Sequence, residues 1–277
     1  MRLVVCPTPI GNLEDVTLRV LSALREADVV ACEDTRRSRK LLDRYGVNAK
    51  LVSYHEHNEQ QRSRELVERM KAGETVALVS DAGMPLVSDP GFVLVRACVS
   101  AGLAVEVLPG PSAAIAALVA SALPAERWRF AGFLPRKKGD LRRVLSEGGG
   151  TLVAFESPRR IPATLSLLAQ IDPERQVAVC RELTKIHEEV VRGGAAELAE
   201  RYAGAAPKGE VVLVLGPAAA ERAGAGGEAA TDGSGEPAGL RQVRRLVESG
   251  AKPRAAAGAV AELTGGSANA LYRALMD

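Results

Sequence analysis

The chain has 277 residues, a formal net charge of +2, 47% hydrophobic residues and 3% aromatic residues. That length and apolar fraction support one large or two ordinary domains with a substantial core. The near-neutral charge excludes binding through a global basic field, and so few aromatics exclude a surface that reads single strands mainly by stacking bases.

The N-terminus, M-R-L-V-V-C, reads as a strand rather than a signal peptide, and no apolar run reaches membrane-spanning length. A soluble, cytoplasmic protein is expected. Cys6, Cys32, Cys98 and Cys180 lie far apart with no C-x-x-C pair, so buried free thiols are expected.

The first half alternates strand and helix patterns. Leu3–Val5 is a short buried strand, followed by the loop P-T-P-I-G-N-L-E-D. Leu18, Leu21 and Leu24 then recur at helical spacing. Val29–Cys32 and Lys50–Ser53 are strands on either side of a basic helix over Thr35–Tyr45, which Gly46 ends. A charged helix over Asn58–Lys71 leads to the strand Thr75–Val79, the loop Ser80–Gly91 and a helix over Phe92–Ala101. Val105–Leu108 closes this half and ends in P-G-P-S. Such β-α-β alternation predicts a parallel sheet covered by helices on both faces.

A small-residue helix, Ala113–Ser121, leads into the second half. Strands are predicted at Trp128–Ala131, Leu152–Phe155, Gln176–Cys180, Glu188–Arg192 and Val211–Leu215, with helices around Leu141 and Leu165. The stretch between Gln176–Cys180 and Glu188–Arg192 has no room for a helix, which predicts a hairpin and a mixed sheet. Residues 217–239 are rich in Ala, Gly, Glu and Ser without periodicity and read as a linker. Beyond it, Leu240–Glu248, Arg254–Leu263 and Ala268–Met276 read as three short helices. The T-G-G-S before the last resembles the turn of a helix-turn-helix unit. The resulting units are 1–113 and 114–216, both α/β, the linker 217–239 and a small helical domain at 240–277. This last unit carries Arg241, Arg244, Arg245, Lys252, Arg254 and Arg273 against Glu248, Glu262 and Asp277.

Several signatures are absent. There is no G-x-x-x-x-G-K-[ST], no G-x-G-x-x-G after the first strand and no G-x-S-x-G elbow. His55 and His57 would share a face on a strand, but His187 is the only other histidine, so no metal site is expected. Three loops at strand ends stand out instead: Pro7–Asn12, Ser80–Gly91 and Pro109–Ser112. Each combines Pro or Gly with small polar residues. Together they could line a cleft with rigid backbone groups suited to a neutral-to-cationic cofactor rather than a phosphate.

The order of motifs carries a resemblance over residues 1–216. These are T-P-I-G-N-L-E-D-V-T at 8–17, C-E-D-T-R at 32–36, S-Y-H-E-H-N at 53–58 and S-D-A-G-M-P-L-V-S-D-P-G at 80–91. L-P-G-P-S-A at 108–113, G-F-L-P-R-K at 132–137, F-E-S-P-R-R at 155–160 and R-E-L-T-K at 181–185 follow. The chain resembles the small-subunit rRNA methyltransferases of the tetrapyrrole-methylase-like superfamily, the class III methyltransferases. It departs from their common pattern in having Met84 where Thr is frequent and Cys32 where Ala is usual.

The resemblance implies S-adenosyl-L-methionine bound in a cleft between two α/β domains, and a homodimer. It implies 2′-O-methylation of a cytidine in the decoding region of the 16S rRNA, with the small ribosomal subunit as partner and neither DNA nor a membrane. Carried over by position, Ile10, Gly11, Asp81, Met84, Ser112 and Ala113 are cofactor contacts from the first domain. Phe155, Leu183, Gly209 and Glu210 close over the adenine from the second. His55, His57 and Asp34 are the polar groups available to take or orient the hydroxyl proton, each with a structural hydrogen bond or N-cap as the alternative. Asp89 reads as an N-cap for the helix that follows it. Arg36, Arg37, Arg39, Lys40, Arg136, Lys137, Lys138, Arg159, Arg160 and the basic tail are the RNA contacts. Alternatives are a tetrapyrrole carbon methyltransferase on the same scaffold and a non-catalytic RNA-binding module.

Overall fold

The computed structural model describes residues 1–219, 239–264 and 267–276. The expected linker at 217–239 lies outside these except for residues 217–219 and 239, as do Gly265 and Gly266 of the last turn.

Five strands form the first sheet: β1 (Arg2–Cys6), β2 (Val29–Cys32), β3 (Leu51–Ser53), β4 (Thr75–Val79) and β5 (Val105–Val107). Their order is β3-β2-β4-β1-β5, all parallel. Helices α1 (Leu18–Glu26), α2 (Thr35–Arg44), α3 (Glu59–Lys71) and α4 (Phe92–Ser100) connect them. The two faces separate by alternation. Val4, Cys6, Val30, Cys32, Ala77 and Val79 pack against Val20, Leu21, Leu24 and Leu42 of α1 and α2. Leu3, Val5, Val29, Ala31, Val76 and Leu78 pack against Leu66, Met70, Leu94 and Cys98 of α3 and α4. Burial on both faces is why these strands are continuous apolar runs rather than alternating ones. All four cysteines are free and buried.

The second sheet has the order β6-β7-β10-β8-β9: β6 (Trp128–Phe133), β7 (Thr151–Glu156), β8 (Gln176–Arg181), β9 (Glu189–Gly194) and β10 (Val211–Leu215). Only β6 and β7 run parallel, and β8–β9 is the predicted hairpin. One face packs on α6 (Lys138–Ser146), α7 (Ile161–Ile171) and α8 (Ala195–Tyr202). The helix α8 escaped the sequence reading. Its buried Ala195, Leu198 and Tyr202 are helically spaced, but they sit in a run of Gly and Ala that reads as loop. The other face packs on α5 (Ala113–Ser121) through Ala114, Ala117 and Leu118, and Ile10 of the first unit joins this same cluster.

The last three helices, α9 (Leu240–Glu248), α10 (Pro253–Thr264) and α11 (Ala268–Met276), enclose a core of their own. It is built from Leu240, Val243, Ala257, Val260 and Leu271. Among the described residues no helix is long and apolar enough to cross a membrane.

Candidate functional site

Three adjacent strands, β4, β1 and β5, deliver the Gly- and Pro-rich loops at their carboxyl ends. The chain reverses its direction across the sheet here, the position at which open α/β sheets hold ligands. The loops are bonded together. Thr8 and Gly83 exchange backbone hydrogen bonds of 2.8 and 2.9 Å, and the Thr8 hydroxyl donates to the Ser80 carbonyl at 3.0 Å. Gly83 adopts φ 77°, and a Cβ there would lie 3.4 Å from Ile10 and 3.7 Å from the Pro111 carbonyl. Gly110 lies so close to the Pro7 ring that a Cβ would overlap it. First, middle and third loops therefore meet at one place.

The second unit reaches the same place. A Cβ on Gly11 would come within 2.5 Å of Lys185 and 2.7 Å of the Thr184 hydroxyl, and that hydroxyl accepts the Asn12 amide at 3.0 Å. Leu183 is buried in one cluster with Ile10. Glu182 accepts the Glu210 amide at 2.9 Å and takes Lys185 at 2.9 Å, while Lys185 also reaches the Glu210 carboxylate at 3.0 Å. Gly209, at φ 86°, packs on the Glu182 side chain. Non-glycine residues at positive φ concentrate in these loops: Leu86 and Ser88 in the middle loop, Glu182 and Thr184 opposite. Backbone strain of this kind persists only where surrounding contacts enforce it, and it gathers at functional sites.

The expected cofactor residues thus fall into two groups. Ile10, Gly11, Asp81, Met84, Ser112 and Ala113 surround the loop junction, with Leu183 against it. Phe155 lies on β7, and Gly209 and Glu210 are in the loop that enters β10. The Met84 side chain is partly buried against the core between the first sheet and α3 and α4. Ser112 caps α5, its hydroxyl accepting the Ile115 amide at 3.5 Å.

Beside this junction lies a group of carboxylates from the ends of β2 and β4. The Asp81 carboxylate accepts the Asp34 amide at 3.0 Å and faces Arg37 at 3.5 Å. Asp34 caps α2 through the Arg36 amide at 2.8 Å and pairs with the Arg36 guanidinium, which holds its carboxyl down to about 2. A carboxylate that acidic is a weak base, so its place in the structure is that of a cap. Glu33 is pushed up by burial and by Asp81, against the pull of Arg37 and His55. Asp89 is pushed up to about 6, first by burial and then by Glu33. The sequence reading of Asp89 as an N-cap is corrected: the N-cap of α4 is Gly91, and no side chain makes a capping bond there. Neither Asp89 nor Glu33 was singled out for chemistry from sequence. The available signal was their place one residue after β2 and in the loop after β4.

His55 follows β3. Its backbone amide donates to Asn58 at 2.9 Å, its Nε2 lies 3.3 Å from the Asn58 amide nitrogen, and its buried Nδ1 has no partner among the described residues. His57 is exposed, its ring centroid 5.9 Å from that of His55. Of the basic residues, Arg160 is committed inward. It donates to the Leu134 and Pro135 carbonyls at 3.0 and 2.5 Å and faces the buried Glu156 at 3.4 Å.

The Tetrapyrrole (Corrin/Porphyrin) Methylases family matches residues 2–199. A Mesorhizobium japonicum protein named ribosomal RNA small subunit methyltransferase I is 46% identical over 275 residues, 98% of this chain and 90% of that one. Its Thermotoga maritima namesake is 43% identical over 216 residues, 77% of this chain and 97% of that one. Among solved structures, the Thermus thermophilus uroporphyrin-III C-methyl transferase complexed with S-adenyl homocysteine superposes with a TM-score of 0.56 at 22% identity, over 78% of this chain and 97% of that one. The latter likeness is one of fold. The converging loops and the relatives agree: the chain belongs to the tetrapyrrole methylase family, in its branch of small-subunit rRNA methyltransferases.

Proposed function

We propose that this protein transfers a methyl group from S-adenosylmethionine to the 2′-oxygen of a cytidine ribose in the decoding region of 16S rRNA. It acts as a homodimer on the assembled small subunit, in the cytoplasm. The observation that carries this reading is the junction of three rigid loops with a carboxylate group beside it, in a chain 46% identical to a protein named for small-subunit rRNA methylation.

The residues present suit such a donor. Glu33, Asp81 and Asp89 complement a cationic ligand, and no lysine from the first unit joins the loops to favour a phosphate. S-adenosylmethionine supplies an activated methyl group on a positively charged sulfur. The loops' part is alignment, which removes several kcal/mol from such a barrier. Ile10, Gly11, Asp81, Met84, Ser112 and Ala113 hold the donor from one side. Phe155, Leu183, Gly209 and Glu210 hold it from the other. Asp89, whose carboxyl burial and Glu33 push up to about 6, takes the ribose hydroxyl proton, and His55 orients that hydroxyl with His57 beside it. Alanine at both histidines is expected to slow single-turnover methyl transfer at least ten-fold with donor affinity retained. An unchanged rate removes both from the mechanism.

The C-terminal helices are an accessory RNA contact in this reading. They fold on their own core, and the Thermotoga relative is matched over 97% of its length by only 216 residues. Arg245, Lys252 and Arg273 are exposed on them. Replacing these three by Gln is expected to raise KM for subunits several-fold with kcat unchanged. The salt dependence of binding should flatten by roughly 0.7–0.9 in log–log slope per lost phosphate contact. An unchanged KM and slope would separate the tail from RNA. For the dimer, Ile115 and Val119, one turn apart on α5, and Val107 on the edge strand are exposed apolar side chains that a second copy would cover.

Labelled S-adenosylmethionine offered with unmodified small subunits, naked rRNA and a tetrapyrrole precursor tests the whole reading. Transfer to assembled subunits is expected. Transfer to the tetrapyrrole alone replaces the acceptor, and donor binding without any transfer leaves an RNA-binding module.

A further inference from the structure

Phe133 ends β6 with 66% of its surface exposed, in a chain with only four phenylalanines. Its direction is set by an irregularity in the strand. Trp128, Arg129 and Phe130 pair in register with Thr151, Leu152 and Val153, but the next pair is Phe133 with Phe155. Three residues on β6 thus answer two on β7, and Gly132 takes up the extra residue at φ 63°. In a regular strand, residues an odd number apart point to opposite faces. The bulge puts Phe130 and Phe133 on the same one, and bulges near active sites re-aim side chains in this way. The rings of Phe130 and Phe133 lie 5.0 and 5.4 Å from that of Phe155, both edge-to-face.

That face is the one turned towards the first unit. Phe130 and Phe155 pack against the cluster that contains Ile10, Leu183 and α5. A Cβ on Gly132 would lie 3.6 Å from the Ser88 hydroxyl in the middle loop. The strand end is also held rigid. The Leu134 amide donates to the Phe155 carbonyl at 3.0 Å, and Arg160 binds the two carbonyls that follow Phe133 while facing buried Glu156. Immediately beyond, Arg136, Lys137 and Lys138 are exposed.

We propose that the Phe133 ring is the platform on which the acceptor nucleobase stacks, with Arg136, Lys137 and Lys138 taking its flanking phosphates. This rests on the rRNA reading above. A supported, exposed ring beside three cations fits a nucleotide, whose base is flat and whose backbone is anionic. The methyl donor carries no phosphate and a positive sulfur, so these cations disfavour placing its adenine there.

The test uses the full chain and the variants Phe133→Ala, Phe133→Leu and Phe133→Trp. Methyl transfer to small subunits, binding of S-adenosylhomocysteine by calorimetry and sedimentation are measured for each. Loss of the ring in the Ala and Leu variants is expected to cut kcat/KM for subunits on the order of ten- to a hundred-fold, the worth of one base–ring contact. Trp should restore it to within about three-fold by the same stacking. Donor-product affinity and sedimentation should not change. Leu matching wild type overturns the role of the ring. Weakened S-adenosylhomocysteine binding assigns the ring to the donor's adenine, and an altered sedimentation coefficient assigns it to a second copy; either overturns the proposal. Wild-type protein that methylates no RNA instead overturns the reading on which the proposal rests.

Discussion

Asp89→Asn is expected to produce a protein that is more stable at pH 7.5 and far slower at methyl transfer. The two effects have one cause. In the folded chain burial and Glu33 raise the Asp89 carboxyl to about 6, from an ordinary value near 3.8. Between those two values the folded state keeps a proton that the unfolded state has released. Stability from this group is therefore full below about pH 4, declines as pH rises towards 6, and stays reduced above. A shift of that size corresponds to at most about 3 kcal/mol, and partial exposure makes 1–2 kcal/mol the expected gain on removing the charge. Urea unfolding should show the variant ahead of wild type at pH 7.5 and level with it near pH 4. Asp34, held down to about 2 by Arg36, acts in the opposite sense. Its contribution is present above about pH 4 and lost as pH falls towards 2, so the comparison stays clear of that range. The amide cannot accept a proton, and single-turnover transfer should fall about a hundred-fold or more. Wild-type activity should rise as pH passes through about 6. A variant that is no more stable, or as fast as wild type, contradicts the role given to Asp89.

Gly110→Ala should abolish tight donor binding without unfolding the chain. A Cβ at this position overlaps the Pro7 ring, and proline has no rotamer by which to move aside. The P-G-P-S loop must then separate from the first loop. Gly83, wedged between Ile10 and the Pro111 carbonyl, loses its setting as well. Overpacking of this kind costs about 1–3 kcal/mol, which leaves the buried clusters on the helix-covered faces of both sheets intact. Affinity for S-adenosylhomocysteine is expected to drop by ten-fold or more, with the far-ultraviolet circular dichroism unchanged. Gly139→Ala is the control, because a Cβ there meets nothing within 4 Å. Equal affinities for the two variants would show that the loop junction does not form the donor site.

Local pattern made the sheets readable. Runs such as T-V-A-L-V and V-V-A-C carry the burial of strands covered on both faces, and the polar stretch between β8 and β9 left room only for a hairpin. The helix α8 was missed because it is only eight residues long and follows directly on Gly193 and Gly194, although Ala195, Leu198 and Tyr202 do mark a buried face. At the site, the three loops were legible from their Gly and Pro content. Their partners were not. Gly11 meeting Thr184 and Glu33 facing Asp89 join residues far apart in the chain, and no local spacing encodes them. The predicted strand stopped at Ala131, so neither Gly132 nor Phe133 was read as part of it, and only the register against β7 shows the bulge that turns Phe133 beside Phe155. Arg160 looked like a surface cation until its partners, Glu156 and two backbone carbonyls, were in place.

The most direct measurement is the identity of the methylated product. Small subunits lacking the modification are incubated with the protein and labelled S-adenosylmethionine, and their rRNA is digested to nucleosides. Label in 2′-O-methylcytidine is predicted, and Asp89→Asn should greatly reduce it. Label on a base, or none on RNA while the protein still binds the donor, would contradict methyl transfer to a ribose.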